Sequence, residues 1–137
     1  MDILTQEQLL LNAQAQFDAL KEKIREYSQT GVRIDQSERN VFAELQAIGL
    51  MLLKGFAAGA GVGDEGAQVT RGERTLRRSD ELHEKVYRSV FGTFSIPRWV
   101  YATGPKKKIE YVPTDARLGL PMASVRMSWK TGNNGSA

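Results

Sequence analysis

Hydrophobic residues return at helical spacing along the first sixty positions. Leu10, Ala13, Phe17, Leu20, Ile24 and Tyr27 are separated by 3, 4, 3, 4 and 3 residues, with Gln, Asp, Lys and Glu between them. This predicts one apolar stripe on an α-helix. Thr5-Gln6-Glu7-Gln8 has the form of a capping box, in which a hydroxyl and a Gln each satisfy an orphan backbone N–H, and Gly31 is a stop signal. A second pattern starts near Asp35 and Glu38. It repeats Val41, Leu45, Ile48 and Leu52 at spacings of 4, 3 and 4, widened by Phe42, Leu53 and Phe56. Two such helices with a short link predict an αα-hairpin. Each stripe must pack on the other helix, on the C-terminal half or on a second copy. The spacing admits a coiled-coil homodimer through residues 5–56, but for fewer than the three or four heptads that would specify one, and an intramolecular pair is the simpler prediction.

The pattern changes after five glycines between Gly55 and Gly66, which read as a hinge or exposed loop. GAGVG is not a phosphate loop: it lacks the Lys and Ser/Thr and follows a helix. Beyond it, short runs rich in β-branched and aromatic residues predict strands at Val69-Thr70, Thr75–Arg78, Val86–Phe91, Thr93–Tyr101 and Ile109–Val112. Gly92 is the expected turn, Pro97 requires an edge or a bulge, and Pro113 is expected to end the last strand. The predicted fold is α+β. A helical hairpin (1–60) precedes a small antiparallel β meander (61–121) and a disordered tail (122–137).

Composition narrows the chemistry. The 137 residues include no cysteine, which excludes disulfides and thiolate metal sites. The longest apolar run, Ile48–Ala60, is interrupted by Gly49, Lys54, Gly55 and Gly59, and no signal peptide is visible. No membrane association and a cytoplasmic location are expected. Net charge is +3 and uneven: residues 1–60 carry 6 basic and 8 acidic groups, and residues 61–120 carry 11 and 8. The C-terminal half is therefore the better candidate for a polyanion.

His83 is the only histidine, so zinc has no plausible ligand set, and one histidine between Leu82 and Glu84 is a weak candidate base. Most acidic residues, Asp64, Glu65 and Asp115 among them, fall on helix faces or in turns, no acidic pair stands out, and Ser79, Ser89 and Ser95 have no motif around them. No catalytic residue, cofactor or small-molecule substrate is implied. The candidate DNA-binding residues are Arg77, Arg78, Arg88 and Arg98 in or beside strands, and Lys106, Lys107 and Lys108 in a loop, with Trp99 and Tyr101 nearby. Cations on a ribbon and its loop neutralise phosphates. The plainer alternative is that they solvate the outside of a small sheet.

Leu82-His83, Ser89-Val90-Phe91-Gly92-x-x-x-Ile96-x-Arg98-x-x-Tyr101 and Val112-Pro113-x-Asp115-Ala116-x-Leu118-Gly119-Leu120-Pro121 resemble the N-terminal region of insertion-sequence transposases of the ISKra group. Phe17 and Ile34-Asp35-x-x-Glu38-Arg39 fit as well, so the resemblance spans about residues 10–121. It implies an accessory region for binding transposon-end DNA and for self-association. The catalytic carboxylate-triad domain of that family lies downstream, so no enzyme activity is expected of this chain alone. Related transposases carry a cysteine-pair zinc ribbon in this region. Here Gly61–Gly66 and Ala102-Thr103-Gly104-Pro105 stand at the matching positions. The implied module is zinc-ribbon-like without metal ligands, packed on Phe91, Ile96, Trp99, Tyr101 and Tyr111.

After Pro121 the chain departs from the family. Slipping back one base in the possible codons of residues 122–135 permits DGERSDVLEDWQQR, a family-like continuation whose central Gly, Val and Glu are forced. The tail is therefore read as out of frame, in a truncated copy or upstream of a −1 frameshift. Three functions follow: a non-catalytic transposase fragment that binds DNA, a structural interaction protein with a helical dimer and no DNA binding, or a small regulator that binds DNA and interferes with a full-length transposase.

Overall fold

The computed structural model describes residues 4–121, so the expected disordered tail lies outside the described residues. The chain is α+β, two long helices followed by small antiparallel sheets. It divides into two compact units. One comprises the residues up to Gly59 together with Arg88–Thr93; the other comprises Ala60–Tyr87 and the residues from Phe94 onward.

In the first unit, α1 spans Gln6–Thr30. Its capping box is formed: the Gln8 N–H donates to Thr5 Oγ1 at 3.1 Å, and the Thr5 N–H donates to Gln8 Oε1 at 2.8 Å. Gly31, at φ 75°, ends the helix with its N–H on the Tyr27 carbonyl. α2 spans Ile34–Ala58 and begins one residue before the expected Asp35. Asp35 lies in its first turn, where a carboxylate favours the helix dipole.

The two helices are antiparallel. Lys23 Nζ meets Glu44 Oε2 at 2.7 Å, the Asn40 amide donates to Tyr27 Oη at 3.2 Å, and the Gln6 amide donates to the Gly55 carbonyl at 3.2 Å. Leu9, Ala13 and Leu20 of α1 are buried, the last two in a cluster with Ile48 of α2 that Val41 and Met51 extend. Only part of each predicted stripe is inside. Phe17, Ile24, Leu45 and Leu52 remain 43%, 40%, 46% and 47% exposed. Each stripe is two adjacent seams wide, and a two-helix layer covers one.

By length and composition alone, α2 is long and apolar enough to cross a membrane. A search for uninterrupted apolar runs misses this, because isolated Gly and Lys residues break the run but barely lower the average. Core helices meet the same criterion.

The tip of a β-hairpin completes this unit. β3 (His83–Ser89) and β4 (Gly92–Arg98) form a two-stranded sheet whose turn is Val90-Phe91. Gly92 is thus the first residue of the returning strand, at φ 142°, and not the turn itself. Ser89 closes the turn: its hydroxyl accepts from the Phe91 and Gly92 N–H groups at 3.1 Å and donates to the Gly92 carbonyl at 2.6 Å. The Phe91 ring lies over Gly49, where a Cβ would sit 2.5 Å from two ring carbons. Both strands of such a sheet are edges, which admits Pro97.

The second unit holds β1 (Gln68–Arg71), β2 (Arg74–Arg78) and β5 (Tyr101–Ala102) in the order β1-β2-β5. The expected single meander is therefore two separate sheets. The expected strand Ile109–Val112 reduces to one bridge, Tyr101 with Tyr111. Pro113 does not simply end a strand. It opens α3 (Pro113–Leu118), because its fixed φ and missing N–H suit a first helical position. The core contains Leu76, Ile96, Val100, Tyr101, Ala102, Ile109 and Val112. Of the five expected packing residues, Ile96 and Tyr101 are buried, Trp99 and Tyr111 are half-buried, and Phe91 belongs to the helical unit.

The glycine-rich segment also differs from a free hinge. Gly55 lies inside α2. The residues after Ala60 are tied down: Thr114 Oγ1 donates to the Gly61 carbonyl at 2.8 Å, and the Trp99 N–H donates to the Val62 carbonyl at 2.8 Å. Gly63, at φ 72°, sits against α3, where a Cβ would fall 2.7 Å from Thr114 Oγ1.

Candidate nucleic-acid interface

Strand register decides which cations can act together. In β1-β2, Val69 pairs with Leu76 and Arg71 with Arg74, while β2 pairs Arg78 with Tyr101. Because side chains alternate, Arg71, Arg74 and Arg78 share a face with Leu76 and Tyr101. Arg77 projects from the opposite face, with its partners Gln68 and Ala102 and with the Thr70–Thr75 pair.

The first face is engaged within the unit. Arg78 contacts Asp64 at 2.6 Å and lies 4.7 Å from the centre of the Trp99 ring. Arg74 contacts Glu110 at 2.5 Å, and Arg71 stacks 4.0 Å over the Tyr111 ring. The Gly66 N–H and then Arg78 hold the Asp64 carboxyl below its ordinary range. Tyr111 Oη lies 2.9 Å from both Glu65 carboxylate oxygens. Burial, then that carboxylate, raises the Tyr111 hydroxyl. Tyr101, fully buried, donates to the Gly66 carbonyl at 2.7 Å and accepts from the Glu65 N–H at 2.9 Å.

Arg98 is not a surface contact. It is 6% exposed, and its guanidinium forms a two-pronged pair with the buried Asp115, Nε to Oδ1 at 3.0 Å and Nη2 to Oδ2 at 3.3 Å. A buried charge needs such a partner, and one already so paired has no face left for a phosphate. The same pair buries Asp115, which lies in the first turn of α3.

Of the other predicted cations, Arg77, Arg88, Lys106, Lys107 and Lys108 are exposed. Arg88 belongs to the helical unit with the hairpin tip. The lysines follow β5 in a tight loop, where the Lys107 N–H donates to the Gly104 carbonyl at 3.3 Å and Lys106 adopts φ 61°. Arg77 pairs with Ala102, four residues before Lys106. Arg77 and the lysine loop thus belong to one end of the three-stranded sheet. An open notch of about 240 Å³ beside Arg77 is lined by Ala67, Gln68, Arg78, Ser79 and Asp80.

Two serines with reactive side chains have structural roles. Ser79 is buried and donates to the Glu81 carbonyl at 2.8 Å, and Ser89 closes the hairpin. His83 starts β3. Among the described residues, no three of His, Asp and Glu converge as a metal site requires. Arg71 and Arg74 escape the sequence reading, although their spacing with Arg77 and Arg78 across one hairpin is visible there. No family model, curated protein or solved structure matches the chain.

Proposed function

We propose that this chain is a non-catalytic, DNA-contacting N-terminal segment of an insertion-sequence transposase, and that it holds DNA phosphates with Arg77, Lys106, Lys107 and Lys108. The observation that carries the DNA contact is the Arg77–Ala102 pairing, which links an exposed arginine to the exposed lysine loop. The transposase assignment rests on the resemblance through VP-x-DARLGLP. The neighbouring Arg71, Arg74, Arg78 and Arg98 are held by aromatic or acidic groups of the same unit and shape the module. Such contacts read charge and not sequence.

The test is binding of the full chain to duplex DNA across a salt series. Each phosphate neutralised contributes about 0.9 to the slope of log affinity against log salt. Replacing Lys106, Lys107 and Lys108 by Ala is expected to lower that slope by about 2 to 3 and to leave thermal unfolding unchanged. Absence of binding at low salt, or an unchanged slope in the triple variant, overturns the proposal.

A further inference from the structure

The helical unit leaves an apolar face uncovered. At 100° per residue, Leu10, Phe17 and Ile24 lie about 60° round α1 from the buried Leu9, Ala13 and Leu20. Leu45, Leu52 and Phe56 lie about 60° round α2, in the same sense, from Val41, Ile48 and Gly55. The helices are antiparallel, so equal offsets in one sense bring both sets to the same side of the layer. Leu10 supports this placement, since its Cδ2 lies 3.4 Å from where a Gly55 Cβ would be. On α2 the exposed Phe42, Leu45, Leu52 and Phe56 follow one seam with Gly49, at spacings of 3, 4, 3 and 4, and the Phe91 ring covers that seam at Gly49. This seam is distinct from the one that joins α1 to α2.

The size of the face indicates its occupant. Phe17, Ile24, Phe42, Leu45, Leu52 and Phe56 are 43%, 40%, 64%, 46%, 47% and 64% exposed. At about 200 Å² for each large side chain they present roughly 600 Å² of apolar surface. That equals the upper end of the largest patch on an ordinary monomer, about 300–600 Å². It is most of the roughly 800 Å² that each partner gives to a standard interface.

The chemistry of the face points to a second copy. By the same geometry its charges are Lys21 and Glu38, one of each sign, so two copies meet without excess repulsion. A lipid surface is the poorer match. Helices that lie on membranes carry cationic polar faces, whereas residues 1–60 hold 8 acidic against 6 basic groups. The hairpin tip packs on α2 at Gly49 and Leu50, and an identical helical layer supplies a second layer over the remaining apolar positions.

We propose that this face is a homodimer interface, in which two copies stack their helical layers into a four-helix core about a two-fold axis. Light scattering on the full chain is expected to give twice the 15.2 kDa of one chain at micromolar concentration. Leu52→Glu with Phe56→Glu is expected to give the single-chain mass with the helical circular dichroism retained. Because buried-charge variants can unfold, a second measurement uses the chain's lack of cysteine. A bis-maleimide is expected to capture a Leu45→Cys variant as a dimer at least tenfold more than Leu11→Cys, whose side chain is 67% exposed on the far side of α1. Equal capture of the two variants, or one-chain mass at every concentration, overturns the proposal. So does a monomer that floats with phosphatidylcholine–phosphatidylglycerol vesicles. None of these measurements involves DNA, so a failure of DNA binding leaves the outcome untouched.

Discussion

Removing the carboxylate of Asp115 leaves the Arg98 guanidinium charged in a site where the arginine is 6% exposed and the aspartate 3%. The lost contacts are two charge-assisted hydrogen bonds, at 3.0 and 3.3 Å. Breaking a buried pair from one side costs about 3–5 kcal/mol, most of it the desolvation of the stranded partner. Small domains have about 5–15 kcal/mol in total, so Asp115→Ala is expected to remove a large share of the second unit's stability. The assay is urea unfolding followed by Trp99 fluorescence in a Trp129→Phe background, since these are the chain's two tryptophans. The midpoint should fall while the slope with urea stays constant. Replacing both partners with apolar residues, Arg98→Met and Asp115→Leu, should restore most of the loss, because no charge then remains inside. A loss under about 1 kcal/mol in the single variant would mean that the pair behaves like an exposed one and would refute the reasoning. A double variant as unstable as the single one would do the same.

Two further outcomes follow from the same unit. Tyr101→Phe strands the Glu65 N–H and the Gly66 carbonyl, and is expected to lower stability by about 1–3 kcal/mol in the same urea assay. Asp64 gives an acid-side signature: its folded value is depressed below 3.8, so its contribution is present above that pH and fades as pH falls through the folded value. Amide titration of residues 64–66 by NMR should show this drop in the wild type and lose it in Asp64→Asn.

Local signals were legible wherever one short segment contains both partners. The Thr5–Gln8 box and the Gly31 stop are of this kind, and both form. The helical periods were also legible, but periodicity cannot choose between two neighbouring seams. Leu9, not Leu10, is buried on α1, and Leu45 and Leu52 stay at the surface. The start of α3 was present in the sequence as Pro113 with Asp115 in the first turn, a pattern that also fits the end of a strand. The candidate cations were all visible, but their division was not. Arg77 and Arg78 are adjacent in the chain and project from opposite faces, because pairing with Ala102 and Tyr101 sets the pleat.

The amino-acid sequence alone therefore determined the two-helix start, the change to short strands after the glycines and the absence of thiol chemistry, since these depend on periodicity, caps and composition. Tertiary structure decided which apolar seam is covered, that Arg98 is an internal partner of Asp115, and that Arg77 pairs with Ala102, just before the lysine loop. Those outcomes depend on contacts between residues far apart in the chain. Arg98 and Asp115 are 17 positions apart, and desolvation at their meeting point turns a surface arginine into a core one.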